Sequence, residues 1–385
     1  MSRFFDLVSK PARDLGTAHA SRPTPSLPER RPHLVKLDSN ENPFGPSPRA
    51  LEAMRAALNA SNSYPDDDCG LLRRELGSYH GLPPEQVLVT AGSTALLSLL
   101  CQTLLAPGLN AVTSRRSFIV YSMAVQAAGA HLVEAPMQDD RFDLEAILAA
   151  VDSQTRIVFV ANPNNPTGTM LEAPVVDSFL ARLPGHVVVI LDEAYYEFAR
   201  HFASLRKIEY SHSLDYVRQG ASVVVLRTFS KAHGLAGLRI GYGLGPAELL
   251  AYCARMRNTF SVSSVAQVAG LAALDDSAHI RRVVENNTMQ SRVVGEGLSA
   301  LGYRVVPTWT NFLFCDLGED AAAAANRLQE EGVAVRPLGH WGAPNCIRVT
   351  IGTPEQNQAF LQAAGSLGSS GSAAGVRAAG LARGK

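Results

Sequence analysis

Three short runs of this chain, "RIVFVA", "HVVVILD" and "SVVVLRT", are apolar at consecutive positions rather than at alternate ones. A strand with one wet face alternates, so a strand that is apolar on both faces has to be covered on both, normally by helices. "VLVT", "NAVTS" and "HLVEAP" add further β-rich runs, separated by helix-like stretches such as "STALLSLLCQTLL", "FIVYSMAVQAAG" and "DLEAILAAV". This alternation predicts an α/β fold with a mostly parallel central sheet. Any site is then expected at the C-terminal ends of the strands.

The alternation starts after "SPRALEAMRAALNA", a helix pattern in which Ser47 is placed to cap and Pro48 suits the first turn. It ends near Leu274. Beyond lie a long polar helix pattern, "SAHIRRVVENNTMQSRVVGEGLSAL", then "NFLFCDL", a further helix, "VAVRPL" and "CIRVTIG", which read as a smaller α+β domain. The expected division is therefore 1–46 as an N-terminal arm and part of the small domain, 47–274 as the large α/β domain, 275–367 as the small domain, and 368–385 as a disordered tail. Residues 1–31 show little periodic apolar pattern, and the tail "GSLGSSGSAAGVRAAGLARGK" is Gly/Ala/Ser-rich.

Composition narrows the class of function. Among 385 residues, 35 basic and 35 acidic side chains balance, so no global field favours nucleic acid or an anionic membrane, and small molecules or a second copy are the expected partners. Cys69, Cys101, Cys253, Cys315 and Cys346 are scattered without a CxxC pair or a His cluster at metal-ligand spacing. That predicts a reducing compartment and no structural zinc. Charges at Arg3, Asp6 and Lys10 interrupt the only apolar patch of the N-terminus, so a cytoplasmic location is expected. The uncharged stretch between Glu85 and Arg115 is broken by "TAGST" and "APGLN" into pieces too short to span a bilayer.

Four polar clusters fall where the strands are expected to stop. Gly92, Ser93 and Thr94 in "TAGSTALL" form a small-residue turn into a helix, which suits a phosphate, although such a turn more often merely caps a helix. "ANPNNPTGT" is a loop of Asn, Pro and Gly, the usual turn residues. Asp192 in "LDEAYYEF" ends a buried strand, where a carboxylate needs a cationic partner; a buried arginine would serve as well as a ligand. The fourth cluster, "RTFSKAHGLAGLRIG", holds the only lysine between Lys207 and Lys385, flanked by Ser230 and followed by Arg239. A carbonyl-reactive amine, a buried acid, a phosphate turn and an extra cation at neighbouring strand ends suit pyridoxal 5'-phosphate, whose aldehyde, ring nitrogen and phosphate need those groups.

Taken in order, "LDSNENPFGPSP", "YPD", "AGST", "NPNNPTG", "LDEAYYEF", "RTFSKAHGLAGLRIGYG", "NFL", "VRPL" and "IRVTIGTPEQN" resemble the fold type I aminotransferases, and among them the histidinol-phosphate aminotransferase family, from about Leu34 to Leu367. The resemblance implies a homodimeric, pyridoxal-phosphate-dependent enzyme with shared active sites. Lys231 would carry the cofactor as an internal aldimine and move the proton. Asp192 would keep the ring nitrogen protonated, and Asn165 and Tyr195 would hold the phenolic oxygen. Ser93, Thr94, Ser230 and Arg239 match the phosphate cup, and Phe118 matches the ring that stacks on the cofactor, although core packing explains a phenylalanine there too. Tyr64 matches a tyrosine that reaches the neighbouring subunit's phosphate. Arg348 matches the arginine that takes the donor's α-carboxylate. Arg336 matches a second cation for a phosphorylated keto acceptor, or else a strand-edge arginine paired with an acid.

The chain departs from that pattern at His233, where the family usually has tyrosine, at "GHWG" (Gly339–Gly342), at Arg115 and Arg116, and in an N-terminal arm without the aromatic-proline signature. The implied reaction converts imidazole acetol phosphate and L-glutamate into L-histidinol phosphate and 2-oxoglutarate, a step of histidine biosynthesis. The alternatives on the same scaffold are an aromatic or other amino-acid aminotransferase and a threonine-phosphate decarboxylase. A cofactor-binding regulator is disfavoured, because about thirty residues ahead of the family-like region are too few for a helix-turn-helix domain.

Overall fold

The computed structural model describes residues 7–14 and 34–378, with side chains to residue 367. Its centre is a seven-stranded sheet in the spatial order Val87–Thr90, Gly241–Leu244, Val223–Thr228, Val188–Asp192, Thr155–Ala161, Asn110–Ser114, His131–Ala135. Six of these strands are the β-rich runs of the sequence. Pairings among the last five are parallel. Gly241–Leu244 runs antiparallel to both of its neighbours and has no apolar run to announce it: its "GYGL" is held by Thr228 and Thr90 pairing with Gly241.

The central strands are dry on both faces, as consecutive apolar residues require. Ile157, Val158, Phe159 and Val160 are all fully buried, as are Val224, Val225 and Leu226. Each such side chain contributes about 1.5–3 kcal/mol relative to exposure, and the helices that cover them come from the intervening segments. Ser47 caps the helix Pro48–Ala57 by accepting from the Ala50 amide, with Pro48 at its first position. The stretch "FIVYSMAVQAAG" becomes helical only from Val120, in Val120–Ala127.

A second sheet of four strands has the order Arg304–Val306, Phe312–Asp316, Ala343–Thr350, Arg336–Leu338 and is antiparallel throughout. Its own apolar cluster joins Leu313, Cys315, Ile347 and Val349 to Val294, Leu298 and Phe360 from the long helices Ser277–Ala300 and Pro354–Ala378. The run "VAVRPL" is split at Val335: Val333–Ala334 leaves this sheet to pair in parallel with Val35–Lys36, which ties the segment after the arm to the small sheet.

The last helix continues to Ala378, past Leu367, so residues 368–378 are helical where the sequence reading expected disorder. An established helix extends without paying for a new nucleus. Residues 379–385 lie outside the described residues, as does most of the segment read as a loose arm. All five cysteines are buried and unpaired. Among the described residues no helix is long and apolar enough to cross a membrane.

Candidate active site

The strand ends bring the polar clusters to one edge of the large sheet. Asp192 is the last residue of its strand, opposite Ala161 and Leu226, and only 5% exposed. One carboxylate oxygen accepts from the Tyr121 hydroxyl at 2.9 Å and the other from the Ala194 amide at 3.2 Å. Burial pushes the Asp192 carboxyl up to about 6, against the downward pull of those two donors.

Lys231 follows the neighbouring strand Val223–Thr228 after two residues. Its Nζ donates to the Ser39 carbonyl at 3.4 Å and stands 5.7 Å from the centre of the Tyr195 ring. Desolvation lowers its amine to about 8, and the Arg348 charge acts in the same direction. The turn that carries it packs against the segment after Val35–Lys36: Asn42 donates to the Ala232 carbonyl at 2.8 Å. At Gly234, with φ of +72°, a Cβ would stand 2.2 Å from the Gly45 carbonyl oxygen, so only glycine permits that approach.

Ser93 and Thr94 open the helix Ser93–Leu104, whose N-cap, Gly92, supplies no side chain to its first amides. The Arg239 Nη2 lies 2.8 Å from where a Cβ of residue 92 would be, so the glycine lets a guanidinium settle on the helix N-terminus. Ser230 is buried and held by Thr228, which donates to its Oγ at 3.0 Å and accepts from its amide at 3.1 Å. Free amides, two or three hydroxyls and an exposed guanidinium make a cradle for a dianion.

Across the site, Arg348 is 6% exposed on the strand Ala343–Thr350. It donates to Asn165 Oδ1 at 2.6 Å and to the Asp38 carbonyl at 3.0 Å, and its Nε has no partner among the described residues. Arg336 pairs opposite Arg348 on the adjacent strand, donating to the same Asp38 carbonyl at 3.3 Å, with its Nη2 3.7 Å from the Asp38 carboxylate. Tyr195 is 4% exposed, and its hydroxyl accepts from Asn40 at 2.8 Å. Burial holds that phenol up at about 12, so it stays protonated.

Lys231, Asp192, Tyr195, Asn165, Arg348, Arg336, Ser230, Arg239, Ser93 and Thr94 thus ring one edge of the sheet. The half-buried Phe118 presents its ring edge-on to Tyr121, 5.7 Å away. Tyr64 is not in the buried cluster: it is 82% exposed and stacked on Phe260 at 4.6 Å. The set fits pyridoxal 5'-phosphate: an amine kept partly neutral, a buried carboxylate, a lined anion cradle and a buried guanidinium with an unspent N–H.

Sequence reasoning missed two contributors. Residues 38–42 supply the Asp38 and Ser39 carbonyls and the Asn40 amide; their signal is the density of small polar residues in "LDSNEN". Tyr121 is the other, three residues after Phe118 and so near it in the same turn. Of the departures from the family pattern, Arg115, Arg116, His340 and Trp341 line one cleft of about 640 Å³ together with Phe118 and Tyr121. His233 instead packs under the Lys231 turn against Phe229, with ring centres 4.8 Å apart. Burial lowers its imidazole to about 4, so it is neutral.

The model of the family described as aminotransferase class I and II matches residues 32–363. A histidinol-phosphate aminotransferase 2 of Pseudomonas aeruginosa is 44% identical over 334 residues, spanning 87% of this chain and 89% of the relative. A histidinol-phosphate aminotransferase of Moorella thermoacetica is 40% identical over 86% of this chain and 84% of its own. The crystal structure of histidinol-phosphate aminotransferase from Sinorhizobium meliloti in complex with pyridoxal-5'-phosphate superposes with a TM-score of 0.81 at 30% identity, covering 87% of this chain and 91% of that one.

Proposed function

The chain belongs to the class I and II aminotransferases, and from that premise we propose that it is a histidinol-phosphate transaminase. It exchanges the amino group of L-glutamate for the carbonyl oxygen of imidazole acetol phosphate, giving 2-oxoglutarate and L-histidinol phosphate. The observation that carries this reading is the pair of arginines, Arg348 and Arg336, facing each other across adjacent strands beside Lys231. One of the partners brings a carboxylate and the other a phosphate, and the two cations match that pair of anions.

Its cofactor is pyridoxal 5'-phosphate, which supplies an aldehyde that condenses with amines and a ring that withdraws electrons from the adjacent carbon. The chain's own residues do the rest. Lys231 would hold the cofactor and carry the proton to and from the substrate's Cα; an amine near pKa 8 is suited to both directions. Asp192 keeps a charge against the ring nitrogen. Asn165 and Tyr195 orient the ring oxygen, Phe118 covers a ring face, and Ser93, Thr94, Ser230 and Arg239 bind the phosphate. The two largest apolar clusters support a large and a small domain divided near Leu274.

Arg336→Ala tests the substrate. The variant is expected to lose tenfold or more in kcat/KM with histidinol phosphate, the range of a charge-assisted hydrogen bond. With phenylalanine as donor the change should stay within about twofold. Equal losses on both would remove the phosphate role and favour a general aromatic aminotransferase.

The exposed ring pair Tyr64–Phe260, with Met256 and Leu71 also half-exposed, supports a surface where a second copy docks and where Tyr64 completes the partner's phosphate site. Mixing Lys231→Ala chains with Tyr64→Ala chains checks this. Refolded together, they should regain roughly a quarter of wild-type activity, because half of the sites in mixed dimers keep both residues. Activity no greater than the sum of the two separate variants would exclude shared sites.

A further inference from the structure

The Tyr121 hydroxyl has one proton to give, and the carboxylate of Asp192 receives it at 2.9 Å. The ring is 1% exposed and fixed on two sides: it stacks on Phe159 with centres 4.5 Å apart and planes 8° from parallel, and Phe118 meets it at 89°. A phenol so locked cannot turn its hydroxyl elsewhere. We propose that Tyr121 is a positioning residue of the reaction, which orients the Asp192 carboxylate and keeps it anionic, so that the acid meets the cofactor ring nitrogen as a fixed negative charge. This rests on the reading that the site takes pyridoxal phosphate.

Three features favour that role over simple satisfaction of a buried polar group. Among the described residues Asp192 has no lysine or arginine as a hydrogen-bond partner; its donors are Tyr121 and the Ala194 amide, one on each oxygen. Two donors on different oxygens stop the carboxylate from rotating and leave its remaining lone pairs in set directions. Burial and the adjacent carboxylate also hold the phenol well above its ordinary range, so it remains a donor throughout the working pH range. Without it, one of the two donors that oppose desolvation is lost and Asp192 shifts toward its neutral form, which cannot pair with a protonated ring.

Tyr121→Phe keeps the ring packing and removes only the donor. The apparent dissociation constant of the apoprotein for pyridoxal phosphate is expected to rise about tenfold or more, the effect of one hydrogen bond to a charged group. For the analogue in which carbon replaces the ring nitrogen, the same substitution should change binding by less than twofold. In an Asp192→Ala background it should add nothing. Equal weakening for cofactor and analogue would mean that Tyr121 only packs, and no weakening for either would mean that it does not act on Asp192; both overturn the proposal. If the wild-type protein bound neither, the failure would lie with the pyridoxal-phosphate reading.

Discussion

Lys231→Ala should leave a protein that folds and binds pyridoxal phosphate reversibly but transaminates about 10⁴-fold more slowly, the upper range for loss of a general acid–base group. The residue is surrounded by groups that prepare its amine for chemistry. Desolvation and the Arg348 guanidinium both disfavour the charged form, and they bring the amine from 10.5 to about 8. The sign of the pH dependence follows. Below about 8 the amine of the free site is protonated and cannot attack an aldehyde; above it, the neutral amine can. Capture of added cofactor by wild-type apoprotein should therefore accelerate about tenfold per pH unit below 8 and level off above it. Stopped-flow absorbance reads this directly, and the alanine variant should show no covalent phase at any pH. Turnover by Lys231→Ala within a hundredfold of wild type would show that some other group moves the proton.

The same lysine shows how far the sequence alone reaches. Its place at a strand end was legible because "SVVVLRT" can only be a covered strand, and the residues after a parallel strand emerge on the site edge. Asp192 was legible for the same reason at the end of "HVVVILD". What could not be read were contacts made over long separations without an apolar pattern. Asp38 and Ser39 meet Arg348 and Lys231 across 310 and 192 positions, and nothing in the local run "LDSNEN" says which carbonyl will face which cation. The antiparallel strand Gly241–Leu244 escaped because its two glycines give no periodic signal. The helical extension to Ala378 is hidden because a Gly/Ala/Ser-rich composition carries no sign of the helix that leads into it. The sequence leaves His233 open between tuning the site and packing; in the structure it is a buried, neutral imidazole against Phe229.

Arg348 carries the second large effect, and the reason is its state of compensation. A guanidinium that is 6% exposed usually has a carboxylate against it. Among the described residues its hydrogen bonds go to two neutral oxygens, those of Asn165 and the Asp38 carbonyl, and its Nε is unpartnered. Burial lowers its pKa to about 10, so it is still charged near pH 7. A buried, charged group held only by neutral acceptors gains most when an anion arrives, and a donor carboxylate offers two oxygens for its planar fork. Arg348→Ala is accordingly expected to lower kcat/KM for glutamate by about 30- to 3,000-fold, the range found when one member of a buried charge pair is truncated. A simple alkylamine donor without a carboxylate should react with the variant as it does with wild type. Arg348→Lys should recover only part of the loss, because a point charge cannot make the two parallel hydrogen bonds. The thermal midpoint should fall little, since removing a poorly compensated buried charge relieves desolvation as it deletes contacts. If glutamate and the alkylamine slowed equally, Arg348 would be shaping the cofactor pocket through Asn165 rather than receiving the carboxylate.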